Sequence, residues 1–143
     1  MSFRADFVLQ LRADLAQALG LPARAVYQGR EPQKITRTGV EVWIRPLETE
    51  PHGRGGGDQV KVHPFEVHVR LKARRDQSQT GGNQLDPVSD ALALLRARYD
   101  GARPFVGALP DLLAIQTEDG SVDDDPEEDH VLDGSLVLRV LER

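Results

Sequence analysis

The sequence predicts an α+β fold: a mixed or antiparallel sheet of about 4–5 strands, including one long hairpin, with two α-helices packed on one face. Three observations predict it. Apolar residues recur at helical spacing in two separate segments. Strict apolar–polar alternation marks a long strand over Gln59–Arg75. The elements run helix, short strand, long hairpin, helix, two strands, which packs most economically as helices layered on one sheet. A chain of 143 residues fits one domain, 1–143, with one modest core.

The first helix spans 3–19. Phe3, Phe7, Leu11, Leu15 and Leu19 recur every four residues with Val8 beside them. Ser2 suits the N-cap, and Gly20-Leu21-Pro22 ends the helix. Ala25–Gly29 is a short strand. In Gly39–Leu47, Val40, Val42 and Ile44 alternate with Glu41, Trp43 and Arg45. The segment His52–Asp58, with Gly53, Gly55, Gly56 and Gly57, offers almost no side chains to pack and reads as a mobile tip within a loop over 48–58.

In Gln59–Arg75, Phe65, Val67, Val69, Leu71 and Ala73 share one face, and Glu66, His68, Arg70, Lys72 and Arg74 the other. Val60 and Val62 have the opposite parity, so a bulge or edge position is expected at His63-Pro64. A polar loop over 76–84 follows. Asp86-Pro87 opens the second helix, with Val88, Leu92, Leu95 and Tyr99 as its stripe and Gly101 as its stop. Leu112–Thr117 and His130–Leu141 are the last strands, joined by an acidic loop over 118–129. Leu132, Leu136, Leu138 and Val140 face one way, Val137 and Leu141 the other, which fits a central strand or a subunit contact.

The composition restricts function. With no cysteine there is no disulfide frame, thiolate zinc site or thiol nucleophile, and a reducing cytoplasm is expected. The N-terminal stretch has charges inside its apolar run, unlike a signal peptide, and no apolar run is long enough to span a bilayer. The net charge is −5, but Glu118–Asp129 alone holds eight carboxylates and no base; the remaining body is about +3. Fifteen of the 18 bases are arginine, a residue suited to multidentate subunit contacts.

No motif for chemistry emerges. His63, Glu66 and His68 lie close in sequence, but a metal needs three or four convergent ligands, and the parity of His63 does not provide them. Gly53–Gly57 is not a phosphate fingerprint and leads into a strand rather than a helix. The run from Asp123 to Glu128 lacks the ligand spacing of a calcium loop. Ser2, Ser78, Ser89, Ser121 and Ser135 lack a nucleophile-elbow setting, so neither an enzyme nor a cofactor is expected. Arg70, Lys72, Arg74 and Arg75 form a basic stripe, but Trp43 is isolated and no aromatics interleave for nucleic acid. The stripe and Asp123, Asp124, Asp125, Glu127 and Glu128 are complementary patches. Such patches can meet head-to-tail between identical subunits and close a ring.

The order of elements carries a further resemblance. A short helix leads to AVYQGR. A hairpin GVEVWIRPLE…VKVHPFEVHVRLKAR follows, then the helix DPVSDALALLRARYDGARPF and an ending with GSLVLRV. Over nearly the whole chain this resembles the tail terminator and tail-completion (neck) proteins of long-tailed bacteriophages, as architecture rather than through a diagnostic motif. The resemblance implies a hexameric ring in the virion neck, assembled in the host cytoplasm. That ring caps the tail tube, ends its elongation and docks the head connector. Its partners are copies of itself, the tube protein and the connector or stopper, with DNA only as passing cargo and no membrane. A head–tail adaptor or stopper, or a small bacterial ligand-binding domain, are the alternative readings.

Overall fold

The computed structural model describes residues 2–29, 39–52, 60–72, 86–125 and 131–143. Helix α1 spans Phe3–Leu19. Its first turn leaves N–H groups without partners, and the Ser2 hydroxyl accepts one of them, from Ala5, at 3.2 Å. The helix stops at Gly20, which is left-handed with φ 65°, and the Leu21 N–H turns back to the Ala16 carbonyl at 2.8 Å. Phe7, Val8, Leu11 and Leu15 are buried, so the stripe with i, i+4 spacing is the packed face.

The strands are β1 Val26–Gln28, β2 Gly39–Pro46, β3 Glu50–His52, β4 Val60–Lys72, β5 Leu112–Asp125 and β6 Val131–Glu142, with helix α2 over Asp86–Tyr99 between β4 and β5. They form one sheet in the order β1-β2-β4-β6-β5, and β3 pairs with β4 beyond the end of β2. The β1–β2 pair is parallel and the others are antiparallel, so the sheet is mixed. The long hairpin forms as β2 and β4, registered from Gly39↔Lys72 to Pro46↔Phe65. Strand β6 lies between β4 and β5, which accounts for its apolar residues on both faces.

One core joins the layers. Val42 and Ile44, Phe65, Val67 and Val69, Leu136, Leu138 and Val140, and Ile115 are buried on the same sheet face as α1 and α2 residues Leu11, Leu15, Val88, Leu95 and Tyr99. The two helices are tied together by Asp14. Its carboxylate accepts from Arg98 Nε and Nη2 at 2.8 and 2.6 Å and from the hydroxyl of Tyr99. The Arg98 bonds, then that of Tyr99, outweigh burial and hold the Asp14 carboxyl below its usual range. No helix among the described residues is long and apolar enough to cross a membrane.

Four expectations are corrected. The acidic loop does not begin at Glu118, because β5 continues to Asp125, paired with β6 to its last residue. Backbone pairing with a neighbouring strand holds these carboxylates in a conformation their self-repulsion alone would not favour; residues 126–130 lie outside the described ones. The 48–58 loop contains β3, paired from Glu50↔Val62 to His52↔Val60.

Of the bulge or edge position expected at His63-Pro64, the bulge is absent, since β4 pairs with β6 in unbroken register from Lys61 to Lys72. Pro64 sits instead where β2 gives way to β3, and its carbonyl accepts from the Leu47 N–H at 2.9 Å on that side. Its missing N–H points to the same gap, where no ladder bond is required. The irregularities fall on β5, between Leu112 and Ala114 and between Asp119 and Val122. Finally, Glu41 and Trp43, on the polar side of the β2 alternation, are buried at 2% and 6% exposure. The expected 76–84 loop lies outside the described residues.

Candidate assembly surface

Strand alternation sends every second residue to the sheet face away from the helices. Register then sets those residues in rows across the strands. One row reads Glu41, Arg70 and Asp133, and the next Trp43, His68 and Ser135. Arg70 Nε donates to Asp133 Oδ2 at 2.7 Å, and its guanidinium lies 5.4 Å from the centre of the Trp43 ring. His68 stacks on the same indole at 4.5 Å, and the indole N–H donates to the Gly29 carbonyl at 3.0 Å. The Tyr27 hydroxyl donates to Glu41 at 3.3 Å. Farther along, Arg139 bridges Glu50 at 2.9 Å and Glu118 at 3.5 Å.

His68 is held between two carboxylates: Nδ1 meets Asp133 at 3.0 Å and Nε2 meets Glu66. Carboxylates only accept, so both contacts are attractive only when both ring nitrogens carry protons. Burial presses the His68 pKa down, but its bonds to Asp133 and Glu66 outweigh that and hold it above the usual histidine range. Burial likewise opposes ionisation of Asp133, yet His68 and Arg70 hold its pKa below normal. The signs follow. The stabilisation from His68 is fully present below its unfolded pKa of 6.5 and is lost as pH rises through the raised folded value. That of Asp133 is present above 3.8 and is lost as pH falls through its lowered value. The urea midpoint is therefore expected to fall as pH rises above 6.5 through the raised His68 pKa, and His68→Gln to remove that part of the fall. Equal slopes in the two proteins would contradict this reading.

Of the basic and acidic residues singled out in the sequence, Arg70, Lys72, Asp123, Asp124 and Asp125 belong to strands at one end of this sheet. Arg70 is half-buried in its own chain's network. The Lys72 backbone pairs with Gly39 and Val131, and Asp123, Asp124 and Asp125 pair with Asp133, Leu132 and Val131. Strand β6 alone therefore separates the two patches, and Asp133 on β6 engages the nearest base. Arg74, Arg75, Glu127 and Glu128 lie outside the described residues. Sequence reasoning missed Asp133; the only hint was an acid followed by glycine inside an otherwise apolar strand. The histidines do not converge, because His63 lies on the helix face. It packs against Phe3 at 5.2 Å, with Thr49 at 2.9 Å and Glu142 at 2.7 Å on its two ring nitrogens.

The turn Asp100–Arg103, after α2, closes part of the sheet's β5 edge. The Gly101 N–H donates to the Ile115 carbonyl at 2.7 Å, and the Ile115 N–H donates to the Ala102 carbonyl at 3.0 Å. The Asp100 carboxylate accepts from the Thr117 N–H and hydroxyl, both at 3.0 Å, which lowers its pKa. Arg103 Nε donates to the Leu112 carbonyl at 2.8 Å. Phe105 follows in the left-handed region at φ 62°, strained for a bulky side chain, and its ring meets Phe7 at 6.0 Å. Asp100→Ala is expected to speed hydrogen exchange at the Thr117 amide while sparing β4. Unchanged exchange there would show that the carboxylate does not protect the edge.

No protein-family model and no curated protein matches the chain. Among solved structures, it is similar to a chain in "Virion of native gene transfer agent (GTA) particle". The TM-score is 0.54 at 19% identity, over 98% of this chain and 95% of that one. A second structure aligns over 96% of this chain and 92% of its own, at 18% identity with a TM-score of 0.49. At this identity the likeness to the virion chain establishes a shared fold.

Proposed function

We propose that this protein is a structural component of a phage-like virion: a neck subunit that forms a ring, caps the tail tube, ends its elongation and docks to the head connector. The observation that carries the reading is the likeness, along nearly the full length of both chains, to a chain of a gene transfer agent virion. The order of elements, which resembles tail terminators, supports the same class. The fold suits the role physically. Both helices cover one sheet face, leaving the charged rows of the other face and the β5 edge for neighbours. The role needs binding surfaces rather than catalytic residues or a cofactor, and DNA passes through as cargo.

Native mass spectrometry and negative-stain imaging test this reading. Purified protein is expected to form rings, with six copies as the expected closure, and to bind the ends of tail tubes. A protein that stays monomeric under every ionic condition and never binds tubes would overturn it.

A further inference from the structure

We infer that the uncovered, acidic half of the β5 edge is where a second copy of this chain docks, presenting a basic surface to it. This rests on the ring-forming reading above and deepens it by naming the contact.

An edge strand presents unpaired N–H and C=O groups to any chain that can lie alongside. The two lateral edges of this sheet are treated differently. Strand β1 is three residues long, and its outward groups at Val26 are already used: the N–H bonds the Ala23 carbonyl, and the carbonyl accepts from Arg12 Nη2 at 3.1 Å. Strand β5 is 14 residues long. Its first half is closed by the Asp100–Arg103 turn, whose last contact is at Thr117. From Glu118 to Asp125 no described residue covers the outer edge.

The surroundings specify the occupant. The open half carries Glu118, Asp119, Asp123, Asp124 and Asp125 and no base of its own; within the chain Glu118 meets Arg139 at 3.5 Å and Asp119 pairs with Arg96, which leaves the half net acidic. Two open halves laid edge to edge would set acid against acid, so symmetric pairing of β5 with β5 is disfavoured. A basic partner is required, and outside 118–129 this chain has a net positive body. Arg24, Arg45 and Lys61 are exposed, with no ion pair to a described residue. An acidic edge on one copy meeting a basic surface on the next is a heterologous contact, the kind that generates rings. A groove runs directly inside the edge, between α2 and β5, with Leu92, Ala93 and Leu136 in its lining and Gly120 at the bulge. Side chains of the docked copy would enter it.

Hydrogen exchange on the full chain, free and assembled, provides the test, with association followed by native mass spectrometry at about 50 mM and about 500 mM NaCl. In the free chain the Ile115 and Thr117 amides are expected to exchange slowly, and the outward amides of 118–125, those that do not bond β6, fast. Assembly is expected to slow 118–125, and raised salt to weaken it. The double variant Glu118→Lys/Asp119→Lys is expected to weaken association about tenfold or more, with Glu118→Gln/Asp119→Asn falling between. Slow Ile115 and Thr117 amides in each variant report that it has folded. Rings in which 118–125 still exchange fast would overturn this inference and leave the ring reading standing. Slow exchange of the outward amides of 118–125 in the free chain would also overturn it, as would full association of the folded lysine variant. A chain that never assembles and never binds tube ends overturns both.

Discussion

Phe65→Ala is expected to cost about 3–5 kcal/mol, the usual range for emptying a buried aromatic site. The ring is fully buried at the centre of β4, 4.9 Å from the Phe7 ring, with the Arg4 guanidinium 5.8 Å from its own centre. It joins α1 to the middle of the sheet. The neighbouring strands cannot collapse into the void, because β4 is paired continuously with β6 and also with β2. Domains of this size are stable by about 5–15 kcal/mol, so the loss is a large share of the total. Urea unfolding followed by far-UV circular dichroism measures it. A shift below about 1 kcal/mol would mean the core does not centre on this residue. Loss of ring assembly in this variant would report unfolding and carries no information about the β5 edge.

The second large effect is expected at Gly120→Ala. A Cβ there would stand 2.0 Å from Ser135 Oγ, 2.5 Å from the Ser135 carbonyl oxygen and 2.7 Å from its carbonyl carbon. The hydroxyl can rotate away, but the carbonyl belongs to the central strand β6 and cannot. The strands must part at the bulge between Asp119 and Val122, at a cost of about 1–3 kcal/mol, as for other forced overpacking. Adding Ser135→Gly relieves only the hydroxyl clash, so the double variant is expected to recover little of the loss. Gly107→Ala is the control, since nothing lies within 4 Å of its added Cβ. Similar midpoints for Gly120→Ala and Gly107→Ala would show that the bulge tolerates a side chain.

The same bulge links fold and proposed function. It divides β5 near the point where the Asp100–Arg103 turn stops covering the edge. The turn in the sequence Tyr-Asp-Gly-Ala-Arg-Pro-Phe, read first as a helix stop and loop, is thus an edge cap built from a carboxylate, two backbone groups and an arginine. It blocks half the strand and leaves a short, charged half, which limits uncontrolled sheet growth.

What the sequence determined by itself was local and periodic. The i, i+4 stripe of α1, its Ser2 and Gly20 caps, the alternation of β2 and β4 and the hairpin between them all follow from chemistry within a few residues. The absence of cysteine restricted the chemistry in the same direct way. Only the tertiary structure decided what depends on strands distant in sequence. It carried β5 on to Asp125, because β6 supplies pairing that the acidic run lacks on its own. It placed Pro64 at the gap between β2 and β3, where its missing N–H has no ladder bond to make. It buried Trp43 against His68 and Arg70 and set Asp133 between the bases, contacts created by cross-strand register. It also used the Asp100–Arg103 turn to cover one half of β5, while no described residue covers the acidic half. Alternation tells a side chain which face to take; register and strand order decide what it meets there.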